Sequence, residues 1–237
     1  MVIVRVPDGQ SVVHPPSRCP VCDTTLRARD NIPVLSWLLL GRKCRTCRTP
    51  IPVRYPQVEA GTAVLFALVA WRIGAHAELP ALLVATAGFV ALSGIDLRTR
   101  RLPDKVVFPT LAMTAAGLVG AALVDDRRGD LGRAGLGALL AFGALLVIHF
   151  VYPDGMGFGD VKLALLCGLV LGWFGLAEVV VGMYGGFVLG AVIGVFVMAQ
   201  QKGGRKTAIP FGPFMAAGTM LTVLVGGPLA DWLRGLF

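Results

Sequence analysis

Three glycines alternate with bulky apolar residues and lead to an acid in the segment Gly155-Met156-Gly157-Phe158-Gly159-Asp160-Val161-Lys162. An apolar run follows at once and continues to Gly172. Because glycine has no Cβ, its backbone can approach another chain closely, so we expect a bare strip of main chain here. An ionisable side chain at the mouth of a membrane-length segment is costly, which favours a functional role for Asp160. The alternative is a glycine-rich loop in which Asp160 caps a helix.

The composition is that of a membrane protein. The chain has 237 residues, of which 55% are hydrophobic and only 15% are charged, and its mean hydropathy is +0.73. A soluble domain carries about 25% charged residues. We therefore predict an all-α polytopic membrane protein with about seven transmembrane helices. The predicted spans are 58–75, 79–97, 105–124, 133–151, 160–173, 176–199 and 209–232.

The positive charges predict the orientation in the membrane. If the N-terminal segment is cytosolic, 17 of the 22 lysines and arginines lie on its side of the bilayer. The positive-inside rule then places the C-terminus outside the cell. The net charge of +8 is explained by this topology and by contact with anionic lipid headgroups, so no nucleic-acid partner is expected.

A second acid, Asp96, ends the second predicted span, and Asp160 begins the fifth. The topology places both at the cytosolic ends of their helices. Hydrolysis of a peptide bond by two carboxylates needs one ionised group, which activates a water, and one protonated group, which hydrogen-bonds the scissile carbonyl. Lys162 is expected to point away from Asp160 and to reach lipid headgroups. Asp104, after Pro103, is interpreted as a helix cap.

The first 57 residues form a separate polar segment with two cysteine pairs, Cys19-x2-Cys22 and Cys44-x2-Cys47, 21 residues apart. This spacing predicts a tetrahedral Zn²⁺ site of four thiolates in a small zinc-ribbon-like segment. Two disulfides are the alternative, which a reducing cytosol disfavours. Cys167 lies in an apolar span and is predicted to be a buried hydrophobic residue. We predict domains 1–57, which binds zinc, and 58–237, which spans the membrane.

Three motifs resemble the type IV prepilin peptidases, which are membrane aspartic proteases of the GxGD type. They are Asp96 followed by Pro103-Asp104, the run 157–162, and Ile209-Pro210-Phe211-Gly212-Pro213-Phe214. The resemblance implies that Asp96 and Asp160 are catalytic, supported by Gly157, Gly159 and Lys162. It also implies a bacterial inner-membrane location. The implied substrates are prepilins or pseudopilins of type IV pili and type II secretion, cut at the cytosolic membrane face after a short basic leader.

Residues 31–37 and 50–59 are similar to the amino-terminal domain of bifunctional members of this family. Those members also methylate the new N-terminus of the pilin with S-adenosylmethionine. Methylation rests on the resemblance alone, because no generic methyl-donor motif is present. The family usually has a transmembrane helix before the segment that corresponds to Val2–Pro7. Either the true start of this chain lies upstream, or this member lacks one helix.

Two other functions compete with proteolysis. In a multipass transporter, Asp96 and Asp160 would relay protons or cations, as intramembrane acids often do. A proton path needs acids near the midplane, whereas both of these acids are predicted near one face. A membrane-anchored zinc adaptor would leave both acids unexplained. The sequence therefore favours an aspartic endopeptidase.

Overall fold

The computed structural model describes residues 2–11, 14, 16–153, 155–200 and 210–234. Within these residues the chain is all-helical, apart from two isolated bridges that pair Arg18 with Thr25 and Lys43 with Pro50. The chain divides into two compact units, Met1–Leu68 and Val69–Phe237. The predicted all-α class is confirmed for the described part of the chain.

The first unit is small and has little apolar core. It contains α1 (Val2–Arg5), a 3₁₀ turn (Ala28–Asn31), α2 (Leu35–Leu39) and the first part of α3 (Arg54–Ile73). Cys19 and Cys44 are the buried hydrophobic residues in the described part of this unit. A segment with so small a core needs another source of stability, and a metal bound by its cysteines would supply it.

The second unit is a bundle of helices joined mostly by short connections. Its helices after α3 are α4 (Leu79–Thr99), α5 (Asp104–Val124), α6 (Arg128–Val151), α7 (Phe158–Phe174), α8 (Leu176–Gln200) and α9 (Gly212–Arg234). Arg100, the C-cap residue of α4, is left-handed (φ 52°, ψ 38°), and its N–H donates to the Asp96 carbonyl. Pro103 is extended (φ −72°, ψ 133°), so it separates α4 from α5 and lets the chain reverse.

Among the residues that the structure describes, four helices are long and apolar enough to cross a membrane, namely α4, α5, α6 and the part of α8 over Leu176–Val197. The segment Gly212–Gly226 of α9 is a shorter apolar helix. Helix α9 was predicted to begin at residue 209, which lies outside the described residues. The bundle thus fits a membrane-spanning protein, while the count of seven spans stays a prediction.

Helix α7 is the most enclosed helix of the bundle. It packs against α4, α5, α6, α8 and α9. Leu166 and Trp173 are among its completely buried side chains. Its 17 residues are few for a bilayer about 30 Å thick. Because α7 is surrounded by other helices along most of its length, it does not need to match the full lipid thickness.

Glycines allow α6 and α7 to cross with their backbones in contact. A Cβ on Gly137 would lie 2.6 Å from the carbonyl oxygen of Gly168, and one on Gly168 would overlap the carbonyl oxygen of Gly137. A Cβ on Gly172 would lie 2.6 Å from the Arg133 carbonyl oxygen. Small residues four apart at a close crossing are typical of membrane helix pairs. This crossing determines where α7 sits in the bundle.

Helices α8 and α9 are also packed through glycines. A Cβ on Gly186 would lie 3.0 Å from the Phe214 carbonyl oxygen, and one on Gly190 would lie 3.3 Å from the rings of Phe211 and Phe214. The Phe211 ring is 4.7 Å from the ring of Phe187, measured between centroids. These contacts place the first turn of α9 against α8 and towards the end of α4.

Candidate functional site

Asp96 lies in the last turn of α4 and is 4% exposed. Its Oδ2 accepts a hydrogen bond of 3.0 Å from the N–H of Gly212, the first residue of α9. A Cβ on Gly212 would lie only 2.8 Å from the same oxygen. Glycine at this position therefore allows the backbone of α9 to approach the carboxylate. The buried carboxyl group of Asp96 thus gains a hydrogen-bond donor from a helix far away in sequence.

Asp160 is the third residue of α7, which begins after Gly157. Gly157 is extended (φ −70°, ψ 143°), and its carbonyl oxygen accepts the Asp160 N–H at 3.0 Å. The N-cap residue of α7 is therefore Gly157 and not Asp160, so Asp160 does not occupy the cap position that the alternative interpretation gave it. Its side chain is partly exposed.

Leu102 contacts a residue beside each of the two acids, namely Gly212 beside Asp96 and Gly159 beside Asp160. It is buried in the connection between α4 and α5. A Cβ on Gly159 would lie 3.0 Å from Leu102 Cβ, and one on Gly212 would lie 3.4 Å from Leu102 Cδ2. The first turns of α7 and α9 therefore both pack on this side chain. Asp96 is hydrogen-bonded to Gly212 and Asp160 follows Gly159, so the fold brings the two predicted acids to the same region around Leu102.

The glycine segment differs from its expected form. Helix α7 already includes Phe158 and Gly159, so only Gly157 is extended. Neither Gly157 nor Gly159 has a positive φ. Phe158 and Gly159 of the expected bare strip of main chain therefore belong to α7, and Gly157 precedes the helix. Gly159 is needed instead for its close packing on Leu102, because a larger residue would push that side chain away.

Lys162 forms an ion pair with Asp104, the first residue of α5. Its side chain is 16% exposed, so the expectation that it reaches lipid headgroups is wrong. Asp104 does not cap α5, since the N-cap residue is Pro103 and no side-chain hydrogen bond caps the helix. Both expectations failed for the same reason: the first turn of α5 faces the first turn of α7, and hydropathy does not reveal which helix ends face each other.

The four N-terminal cysteines converge on one point. Their sulfur atoms all lie within 4.8 Å of one another, with 3.7 Å between Cys19 and Cys47 and 4.0 Å between Cys22 and Cys44. Tetrahedral ligation with Zn–S bonds of about 2.3 Å places the sulfurs about 3.8 Å apart. These four residues therefore fit a zinc ion. All five cysteines are free, so the structure contains neither of the alternative disulfides, and Cys167 is fully buried as predicted.

Each cysteine pair is followed by a threonine that acts on a thiol. Cys22 Sγ lies 3.3 Å from Thr24 Oγ1, and Cys47 Sγ lies 3.2 Å from Thr49 Oγ1. The hydrogen bond with Thr49 lowers the pKa of the Cys47 thiol to about 6, and that with Thr24 lowers the pKa of the Cys22 thiol. Metals bind thiolates, so these bonds favour the metal-binding form. The repeated pattern C-x2-C-x-T could have revealed both threonines.

Comparison with known proteins identifies the family. Residues 1–73 match the bacterial peptidase A24 N-terminal domain, and residues 83–199 match the type IV leader peptidase family. A prepilin leader peptidase/N-methyltransferase of Stutzerimonas stutzeri is 37% identical, over 93% of this chain and 75% of its own length. The chain belongs to the type IV leader peptidase family. No solved structure is significantly similar to it.

Two further relatives of this chain are also named prepilin leader peptidase/N-methyltransferase. The one from Pseudomonas putida is 36% identical, over 90% of this chain and 73% of its own length. The one from Aeromonas hydrophila is 34% identical, over 95% of this chain and 79% of its own length. The cysteines fall within the N-terminal match, and both acids fall within the leader peptidase match. The family predicted from the sequence motifs is therefore confirmed.

One residue beside the candidate site was not predicted from the sequence. His149, near the end of α6, donates its Nδ1 hydrogen to the Met156 carbonyl oxygen at 2.8 Å. Its ring lies 5.6 Å from that of Phe158, between centroids. His149 thus ties the glycine segment to α6 just before α7 begins. A single histidine at the end of an apolar helix forms no recognisable motif, so no sequence signal marked it.

Proposed function

We propose that this protein is a membrane aspartic endopeptidase that removes the basic leader from type IV prepilins and pseudopilins, with Asp96 and Asp160 as its catalytic pair. One observation carries the proposal. The last turn of α4 and the first turn of α7 bring two carboxylates together at one end of the bundle, in a chain of the leader peptidase family. Gly157, Gly159 and Lys162 hold the first turn of α7 and support the pair.

The chemistry follows from two neighbouring carboxylates. Like charges at short range cannot both ionise cheaply, so the pair holds one proton between them. The ionised carboxylate takes a proton from a water molecule, and the water oxygen attacks the scissile carbonyl carbon. The protonated carboxylate donates to the carbonyl oxygen and stabilises the tetrahedral intermediate. The C–N bond then breaks, and the carboxyl group that took the proton from water gives it to the leaving amine. The Gly212 N–H keeps the Asp96 oxygen in place during both steps.

The substrate must be locally unwound at the cut, because a helix hides its carbonyl groups from attack. Unwinding near a membrane exposes polar main-chain groups that hydrocarbon cannot satisfy. The N–H groups of Phe158 and Gly159, the first two residues of α7, have no acceptor within the helix. We infer that they pair with the unwound backbone of the pilin beside Asp160.

The family and the distribution of positive charges also suggest where the protein is located and how it is oriented. We propose a multi-pass protein of the bacterial inner membrane in which the seven helices α3 to α9 all span the bilayer. The segment 1–57 faces the cytosol, the domain 58–237 carries the peptidase, and the C-terminus lies outside. The excess of Lys and Arg on the N-terminal side supports this orientation. Substrate and anionic lipid are the expected partners.

We also propose a structural zinc ion and a second activity. Cys19, Cys22, Cys44 and Cys47 would hold the zinc, which would stabilise a unit whose own core is small. The relatives are named as N-methyltransferases as well as peptidases. We therefore propose that the chain methylates the new N-terminus of the pilin with S-adenosylmethionine, a role that rests on the family and on the N-terminal match.

The transporter alternative is not favoured. The family matches are to peptidases, and both acids lie at one end of the bundle rather than near its middle. An assay with purified protein in nanodiscs and a synthetic prepilin separates the two functions. A peptidase releases the leader as a separate peptide, which mass spectrometry detects, whereas a proton or cation relay releases none.

The same assay tests the catalytic pair. Asp96→Asn and Asp160→Asn should each lower leader release by about 10³-fold or more, because an amide cannot serve as acid or base. The control is Asp126→Asn, whose carboxylate is 91% exposed in the connection between α5 and α6. This control should cleave normally. Near-normal cleavage by either catalytic variant would show that the two aspartates are not the catalytic pair.

A further inference from the structure

The first turns of α5 and α7 contact each other through an acid, a lysine and two phenylalanines. Asp104 and Phe108 are four residues apart on α5, and Phe158 and Lys162 are four residues apart on α7. The Lys162 ammonium forms an ion pair with Asp104 and lies 5.4 Å from the Phe158 centroid and 6.0 Å from the Phe108 centroid. One cation thus meets one anion and two aromatic rings.

Lys162 and Asp160 both belong to α7, but they lie on different faces of it. Residues 160 and 162 are separated by about 200° around an α-helix and by about 3 Å along its axis. Asp160 faces the region of Asp96, so Lys162 lies on a different side of α7. Asp96 and Asp104 in turn belong to one helical hairpin, since α4 and α5 are joined by the short connection 100–103. One hairpin therefore contacts α7 at two points.

The two contacts act in opposite directions. At the first point, Asp96 and Asp160 repel each other whenever both are ionised. At the second point, Lys162 and Asp104 attract each other. We propose that Lys162 and Asp104 are a positioning pair, which sets the rotation of α7 about its axis and keeps the Asp160 carboxylate directed at Asp96. This inference rests on the proposed function, because it concerns the geometry of that catalytic pair.

The solvent exposure of Lys162 and Asp104 indicates that their ion pair contributes more to the position of α7 than to the stability of the fold. The Asp104 side chain is 57% exposed and that of Lys162 is 16% exposed. Partly solvated ion pairs contribute little to the stability of a fold. A displacement of about 1 Å at a reacting group, by contrast, can lower a rate by about 10²-fold. Loss of the pair should therefore reduce the turnover of bound substrate far more than it reduces the amount of folded protein.

The experiment measures kcat and KM for leader release from a synthetic prepilin, with the full-length protein in nanodiscs. The variants are Lys162→Met, Asp104→Asn, Lys162→Arg and the charge exchange Asp104→Lys with Lys162→Asp. Lys162→Met and Asp104→Asn should each lower kcat roughly 10- to 100-fold and leave KM within about threefold. Lys162→Arg and the charge exchange should each recover a large part of kcat. Lys105→Met removes a neighbouring exposed positive charge and is the matched control, with kcat unchanged.

Several results would overturn the inference. One is an unchanged kcat in Lys162→Met, and another is a loss that appears in KM alone. A charge exchange no better than the worse single variant would show that the two residues do not act as a pair. Failure of all variants to reach the membrane would make the contact a general requirement of folding. Asp160→Asn is assayed alongside: if it still cleaves, the proposed function fails, whereas if it is inactive and Lys162→Met is normal, only the positioning role fails.

Discussion

Replacement of Gly212 by alanine tests how the backbone of α9 holds the buried carboxyl group of Asp96. In the structure the Gly212 N–H donates to Asp96 Oδ2 at 3.0 Å. The Cβ of an alanine would lie 2.8 Å from that oxygen, 3.4 Å from Asp96 Cγ and 3.4 Å from Leu102 Cδ2. The oxygen would have to move by roughly half an ångström to reach an ordinary van der Waals separation. It is the end of a side chain, so it can rotate away, and the hydrogen bond is then lost or lengthened.

The size of the effect follows from what is lost. A hydrogen bond to a charged group contributes about 1.5–3 kcal/mol. If that bond positions Asp96 in the transition state, its loss lowers the rate roughly 10- to 100-fold, since about 1.4 kcal/mol corresponds to a factor of ten. Leu102 is touched only at ordinary contact distance, so the fold should persist. We expect the Gly212→Ala protein to be present in the membrane at normal levels and to cleave slowly.

The assay compares initial rates of leader release at equal amounts of purified protein in nanodiscs. Gly120→Ala is the matched control, because a Cβ on Gly120 of α5 meets nothing within 4 Å. It should cleave at the normal rate. A Gly212→Ala protein with the rate of the control would refute the reasoning that the α9 backbone positions Asp96. A Gly212→Ala protein that unfolds at a much lower temperature would show that the contact mainly stabilises the bundle.

Three other predictions concern the metal, the α6–α7 crossing and the first turn of α7. Elemental analysis of the purified protein should find about one Zn²⁺ per chain, as a four-thiolate site requires; two disulfides and no metal would contradict the site. Gly168→Val should destabilise the bundle by about 1–3 kcal/mol or more, because its side chain would overlap the Gly137 carbonyl; an unchanged melting temperature would contradict the backbone contact. Gly159→Val should lose most cleavage activity, because the valine side chain would displace Leu102. Gly157→Ala should lose much less, since the alanine Cβ would lie at an ordinary contact distance of 3.5 Å from Asp160 Oδ2. Equal losses in the two variants would contradict this packing.

Properties that are local in the sequence led to the class of fold, the family and the candidate residues. Apolar composition predicted helices in a membrane, because hydrocarbon accepts only backbones that satisfy their own hydrogen bonds. The acids stood out because an ionisable residue at the end of an apolar run is costly. The cysteines stood out because the spacing of ligands along a chain limits which metals they can hold. None of these inferences needed to know which helix lies beside which.

The contacts around those residues depended on the tertiary structure. The Gly212 N–H reaches Asp96 across 116 residues of chain, and Lys162 reaches Asp104 across 58. Both contacts require particular rotations of the helices about their axes, and helices that are apolar on every side carry no pattern that specifies a rotation. The rotations are set by close packing, such as the crossing of α6 and α7 at Gly137 and Gly168. Residue type and spacing were enough to predict the candidate catalytic residues, whereas the contacts that hold them in place depend on the close packing of helix backbones.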